Sequence, residues 1–517
     1  MAYLWADGFD AYSGTGDLAE RWDTVATGAI TLSSAANTAF GVGGALSLAN
    51  NATTTAQLTK TFATNEATIF CSLRTKRGAG SLASNYLWIT FYDGTTAQVT
   101  VRFNEDGSQD FYRGTSLGTF LGNSPAGTAP GASWDSWQFK ITISPTVGTC
   151  EMRKNGSTTA VINLTGQNTR ASANSYVNKV SIGTNISLSA QIDDLFICSG
   201  SGAAPNDWPG DLRAITQAPS ATVQQQFSTS PAAATWGQLS TGTSTNTGPG
   251  ANVIGWYKTT APYTGTCSTI ALSLAAGITG ALNVALYADS AGAPGAIMAQ
   301  GVSVTNPSTG VNTFTLGTQA TAGATPSPQG VVENTAYWIA VWSSAAAASG
   351  TFNGVGGTFT RTTLAATYGA SFPTAYVGGG TASTSVNSLY YSANLTSIDN
   401  ASLVNDSTQD ADSTYVFSST VGAEDLYSFA SLASLGIAPA AVTGVIPFVI
   451  ARKSDSGART ISVQAKSGAT EVAAASNAAP GLTYQFLGGW LATDPATGAA
   501  WTTAAVDALQ IGPKVVA

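Results

Sequence analysis

The 517-residue sequence contains no histidine, and its charged residues are scarce: 20 Lys and Arg with 28 Asp and Glu make up 9% of the chain, against roughly 25% in an ordinary soluble domain. Without imidazole there is no Ser-His-Asp or Cys-His nucleophile, no histidine metal ligand and no imidazole general base. Few cations and a formal net charge of -8 argue against a phosphate-neutralising surface, because nucleic-acid affinity rests on clustered Lys and Arg. No apolar run reaches the roughly 18 residues that would mark a membrane helix. The opening residues, MAYLWADGFD, show no basic stretch followed by an apolar one, so no secretory leader is expected and synthesis in the cytoplasm is. Cysteine is also rare. Cys71, Cys150, Cys198 and Cys267 are far apart with no CxxC pair, which reads as buried thiols, with a Cys71–Cys198 bridge as the alternative.

What the chain does have is material for packed cores: 44% hydrophobic residues and 12 Trp, a composition that low charge alone does not make disordered. Its length suggests three or four domains. Short alternating runs recur, notably Tyr86 to Tyr92 (YLWITFY), Ala97 to Phe103, Trp137 to Ile143, Leu282 to Tyr287, Tyr337 to Trp342 and Ile461 to Ala465, each patterned as a half-buried strand. Asp93-Gly94, Asp106-Gly107, Asn155-Gly156 and Ser467-Gly468 supply the residues that tight hairpin turns need. Helical signal is confined to Thr502 to Leu509, opened by a capping Thr and closed before Gly512-Pro513. The alternation lapses at Pro205 to Ser220 and at Asn394 to Asp410, which predicts linkers or domain-closing segments there. Neither a short repeat nor sustained heptads are present.

Three segments resemble known modules. Leu4 to Tyr12 (LWADGFDAY), Phe40 to Leu48 (FGVGGALSL), Trp137 to Ile143 and Ile192 to Cys198 (IDDLFIC) occur in the order found in concanavalin A-like, or laminin G-like, jelly-roll domains. With Gly200 to Arg213 this stretch resembles the N-terminal sandwich of many tailed-phage virion proteins. Val284 to Met298 and Glu333 to Val341 resemble a jelly-roll module of phage and bacterial surface proteins. Val421 to Phe429, Ala451 to Thr460, Lys466 to Glu471 and Thr493 to Gly512 resemble a C-terminal domain of phage tail and fibre proteins.

Candidate chemistry is sparse. A carboxylate pair could hydrolyse a glycan without histidine, but Asp193 and Asp194 are adjacent on an expected strand and so point to opposite faces, and Glu424-Asp425 reads as a turn whose carboxylates accept backbone N–H groups. Asp7, Asp10 and Asp193 offer hard oxygen ligands for calcium, yet no loop has dense alternating ligands, and structural roles are expected. Gly295 lacks the GxxxxGK[ST] of a phosphate loop and reads as a turn. Trp5, Trp22, Trp88, Trp134, Trp137 and Trp208 could include a sugar-stacking platform. Arg452, Lys453 and Arg459 bracket a turn and, with Arg74 to Arg77, form the densest basic groups, read as solvated or as inter-subunit partners.

The expectation is therefore an all-β chain of three tandem β-sandwich or jelly-roll domains, 1–213, 220–395 and 400–517, the first concanavalin A-like, with one short helix near the C-terminus. The resemblances imply a non-enzymatic structural protein of a tailed-phage virion, of fibre, spike or decoration type. It would assemble as a homotrimer against capsid, collar or tail proteins, and contact host-surface polysaccharide at residues left unassigned. No catalytic, cofactor or metal residue, nucleic acid or membrane is expected. A lectin-like adhesin is the alternative, and a glycan hydrolase the third reading.

Overall fold

The computed structural model describes residues 3–12, 14–26, 30–33, 38–39, 44–49, 56–77, 85–129, 131, 133–184, 189–203, 205–239, 244–246, 249–317, 329–345, 352–389, 391–406 and 410–517. The fold is all-β, as expected, and the chain divides into two compact units: Met1–Ala218 with Asp406–Asp410 and Ser419–Ala517, and Pro219–Asn405 with Ala411–Ser418. No helix among the described residues is long and apolar enough to cross a membrane.

The first unit contains a sandwich of two antiparallel sheets. One runs in the order Ala160–Gln167, Gly148–Lys154, Asp135–Thr142, Thr68–Arg77, Ser189–Ser199, Ala45–Ala49, Ile30–Ser33, with Tyr3–Asp7 also on Ser189–Ser199. The other runs Thr119–Asn123, Gln109–Arg113, Thr96–Asn104, Asn85–Asp93, Val177–Thr184, Ala56–Glu66, Thr24–Val25. Strict alternation places Leu87, Ile89, Phe91, Val99, Val101, Phe103, Trp137, Phe139 and Ile141 in one continuous core between them. Gly94, Gly107, Gly156 and Gly468 all have positive φ, so the four expected turns form where their glycines stand.

Of the residues expected as a third domain, 400–517, those at 406–410 and 419–517 cluster with this same unit. Their antiparallel strands, ordered Leu426–Phe429, Gln510–Val515, Ile461–Ser467, Thr470–Ala473, gather around a cluster centred on Ala465, Trp501 and Leu509. Some of their rings pack on the sandwich. Trp490 stacks on Tyr3 at 5.0 Å and meets Phe196 edge-on at 5.5 Å, while the guanidinium of buried Arg21 lies 4.2 Å over the Phe486 ring. The one α-helix among the described residues, Thr503–Asp507, is capped as expected, with Thr502 Oγ1 accepting from Ala505 N.

The second unit is built on an antiparallel sheet whose inner face holds Ile270, Leu272, Val284, Leu286, Ile339 and Val341. Two expectations are corrected here. Residues 394–398, expected in a linker or domain-closing segment, are no linker: they lie in the strand Tyr391–Ile398, where Leu395 and Ile398 are buried and the intervening polar residues hid the pattern. Gly295 is not the turn residue: it lies within the strand Ala293–Gly301, and Ala291 and Gly292, both at positive φ, make the two-residue return.

Candidate functional site

In the first unit, the sheet centred on Asn85–Asp93 has one face in the core and the other outside it. Because side chains alternate, Leu87, Ile89 and Phe91 point inward and Trp88, Thr90 and Tyr92 outward. The register extends this outer face into a grid. Trp88 lies opposite Arg102 on one side and Gly183 on the other, Thr90 opposite Thr100 and Ser181, and Tyr92 opposite Lys179. One strand further out, Asp110 follows Arg102 and Tyr112 follows Thr100, while Gln57, Thr59 and Thr61 follow Gly183, Ser181 and Lys179.

The middle row is a floor of short hydroxyls. Thr90 and Thr100 hydroxyls are 3.0 Å apart, Gln57 Nε2 donates to Ser181 Oγ at 2.6 Å, and Ser181 Oγ donates to the Leu58 carbonyl at 3.2 Å. All three floor residues are buried, whereas Trp88, Tyr92, Arg102, Tyr112 and Lys179 beside them are half-buried. The result is a polar sheet face whose hydroxyls bond within the protein beneath half-buried aromatic and cationic side chains. Trp88 owes its position to a missing side chain: a β-carbon on Gly183 would sit 2.7 Å from Trp88 Cζ2 and 2.8 Å from Cη2, so the indole lies over the glycine on the adjacent strand.

Charges on the face are paired or held. Arg102 Nη2 meets Asp110 Oδ2 at 2.5 Å, and Tyr112 donates to the same carboxylate at 3.1 Å. The Lys179 ammonium stands 4.7 Å from the Tyr92 ring. Asp93, at the end of the central strand, accepts from Ser172 Oγ at 2.7 Å and Asn174 Nδ2 at 2.9 Å. Slight burial pushes its pKa up, but these hydrogen bonds outweigh that and hold it below the usual carboxylate value. A general acid for glycoside cleavage needs the opposite shift. Flat rings beside a hydroxyl floor suit a ligand with apolar faces and hydroxyl edges, the amphipathic character of a sugar ring.

No family model and no curated protein sequence matches the chain. Solved structures similar to part of it include the catalytic domain of a glycoside hydrolase family 131 protein from Coprinopsis cinerea, at 15% identity and a TM-score of 0.29, covering 41% of this chain and 99% of that one. A protein of unknown function with a galectin-like fold from Bacillus subtilis is 10% identical with a TM-score of 0.27, covering 38% of this chain and 96% of that one. Lectin II from Ulex europaeus is 10% identical with a TM-score of 0.23, covering 38% and 97%.

The residues singled out in the sequence take mostly structural places. Asp7 receives the Tyr12 hydroxyl, the Trp22 indole N–H, the Phe9 amide and an ion pair from Arg21 at 3.4 Å. Asp10 accepts from Gly44 N and Thr216 N, Asp193 from Ala39 N and Asp194 N, and Asp194 from Ala214 N with Arg74 Nε at 3.5 Å. Burial raises Asp10 to about 6; burial, with repulsion from Asp10, raises Asp193, and burial, with repulsion from Asp193, raises Asp194, both well above the carboxylate range. A bulge after Asp193, with Asp194 at positive φ, breaks the alternation expected of this pair. Among the described residues no group of three His, Cys, Asp or Glu is arranged to hold a metal ion.

Glu424 and Asp425 are buried, the first 3.6 Å from Lys514 Nζ and the second accepting from Tyr427 OH at 2.8 Å; they lie beyond the turn, where Glu424 forms a backbone bridge with Lys514, so the expected turn role is corrected to side-chain pairing. Arg459 pairs with Asp455, Lys453 donates to the Gly457 carbonyl, and Arg452 lies over Tyr484, a turn tied to itself. Arg74 also binds Asp211 at 2.6 Å, and Arg77 donates to the Glu105 carbonyl. The four cysteines are free and buried, each thiol pushed far up by burial. Trp5, Trp22 and Trp137 are core residues. Trp134 is half-buried just before the strand Asp135–Thr142, and Trp208 is covered by Arg153 at 3.8 Å. Trp88 alone of the six lies on the polar sheet face beside the hydroxyl floor; its partners there, Tyr92, Lys179 and Ser181, were not singled out in the sequence. The signal available was the outward half of YLWITFY, where Trp, Thr and Tyr alternate with Leu, Ile and Phe.

Proposed function

We propose that this chain is a non-enzymatic structural protein of a tailed-phage virion, and that its first sandwich touches surface glycan through the sheet face around Trp88. The observation that carries the glycan reading is the seating of Trp88 over Gly183 beside the Thr90–Thr100–Ser181 floor. Ring stacking gives such a site its affinity, and the half-buried polar groups beside Trp88 and Tyr92 give it orientation. The carboxylates of the face support binding without cleavage: Asp110 is engaged by Arg102 and Tyr112, and Asp93 is held ionised by its neighbours. The virion reading draws on the resemblance of the three segments to phage structural modules, and with it goes a homotrimer.

Two experiments test the reading. Peptide mass spectrometry of purified particles should find the chain at structural copy number, and its absence from particles overturns the virion role. Titration of the isolated protein with host-surface oligosaccharides should give saturable binding without release of reducing ends. Sugar release that survives purification and scales with the protein would establish a hydrolase instead.

A further inference from the structure

The second unit, Pro219–Asn405 with Ala411–Ser418, is nearly free of charge. Lys258, Asp289, Glu333, Arg361, Asp399 and Asp412 are its charged residues, against 42 in the rest of the chain. None of the six stands on four neighbouring strands of its sheet, Ala234–Gln238, Tyr391–Ile398, Gly265–Leu274 and Gly310–Gly317. Trp236, Ala393, Ile270 and Phe314 of these strands point into the core, so alternation turns the residues between them outward. Register lines those up in two rows, Thr235–Asn394–Thr269–Thr315 and Ser392–Ala271–Thr313. Thr235, Thr313 and Thr315 are exposed, and Thr269, Ser392 and Asn394 are half-buried. Their hydroxyls and the Asn394 amide make no hydrogen bond among the described residues, in contrast to the bonded hydroxyls of the Trp88 face.

We infer that this face packs against the same face of neighbouring copies of the chain. It is then the contact that holds the homotrimer, on whose reading the inference rests. Exposed surface ordinarily carries roughly a quarter to a third charged residues, and their repulsion keeps soluble chains apart; these four strands carry none. Copies of one chain bear identical charges, so a charged face would repel its own copy, and a neutral one does not. A hydroxyl is donor and acceptor at once, so Thr and Ser satisfy their own kind across a contact. Short side chains also lose little rotamer freedom on burial and suit sheet-on-sheet packing. A different protein recognised through opposite charge would find nothing here to pair with.

Sedimentation velocity of the full chain tests the inference. The proteins are wild type, an acidic variant (Thr313→Asp with Thr315→Asp), a basic variant (Thr313→Arg with Thr315→Arg) and Leu117→Lys, which charges a 92% exposed side chain of the first unit. Wild type should associate with an affinity that salt leaves unchanged. The acidic and basic variants should each associate at least roughly tenfold more weakly, and Leu117→Lys should match wild type. An equimolar mixture of the acidic and basic variants should form mixed oligomers that neither forms alone, and salt should weaken these. That rescue separates a lost contact from lost folding. Oligomers that persist undiminished in both double variants overturn the assignment of the face and keep the homotrimer reading. A wild type that is monomeric at micromolar concentration overturns the two together.

Discussion

Two sheet faces in this molecule carry outward tryptophans, and they have opposite fates. In the first unit Trp88 is flanked by Thr90, Tyr92 and Arg102 and stays half-exposed over Gly183. In the second unit Trp256, Trp338 and Trp342, with Tyr287, lie on the face away from the inner core and are buried, because the segment following Phe352–Ala365 lies across them. Phe372 sits 5.2 Å from the Trp342 ring and Tyr376 5.3 Å from that of Trp256. The strap is pinned along its length: Ile297 N donates to the Thr374 carbonyl, Tyr287 OH to that of Pro373, and Phe372 N to Gln300 Oε1. A tryptophan on an outer face therefore marks a binding site only where its strand neighbours are polar and nothing of the chain's own covers it. Where the neighbours are Ala340 and Ala285, the same ring is a second core.

Trp256→Ala should show the largest effect, a loss of about 3–5 kcal/mol in the second unit from an unfilled cavity, read from urea unfolding. Trp88→Ala should cost the first unit no more than about 2 kcal/mol; equal losses would erase the distinction between the faces. Gly183→Val comes next, because its β-carbon would meet the Trp88 ring and stand 2.6 Å from the Ala56 carbonyl oxygen. A loss of about 1–3 kcal/mol, together with lost glycan binding, is expected, and unchanged binding would separate the indole from the site.

Acidity distinguishes the units as well. Asp10, Asp193 and Asp194 have folded pKa values raised above those of the unfolded chain, so the folded first unit binds more protons than the unfolded chain. The stability these three contribute should be fully present below about pH 4, the unfolded carboxylate value, and be lost as pH rises through about 6, where Asp10 ionises, and on through the higher range of the pair. The second unit's midpoint should stay level over that window, and Asp194→Asn should flatten the first unit's slope. A first unit that gains stability with rising pH contradicts the assignment. Ser181→Ala should be smallest, about 1 kcal/mol for its hydrogen bonds to Gln57 and Leu58.

Much of the fold was legible because period-two alternation and glycine turns are local signals: YLWITFY, its partner strand and the Thr502 cap stand where they were expected. What escaped depends on contacts distant in sequence. The polar residues of NLTSI concealed a strand whose burial comes from Gly265–Leu274, and the packing of residues 419–517 on the first sandwich rests on Trp490 reaching Tyr3. The candidate site was half visible. Trp88 could be named, but its exposure depends on Gly183, nearly a hundred positions along the chain, and only the register brings the two together.

Binding of one host-surface oligosaccharide to wild type and to Trp88→Ala, at matched folded fraction, tests the central claim most directly. Saturable binding by wild type that disappears in the variant, with both proteins unfolding cooperatively, is the predicted result. Identical isotherms for the two proteins would contradict it.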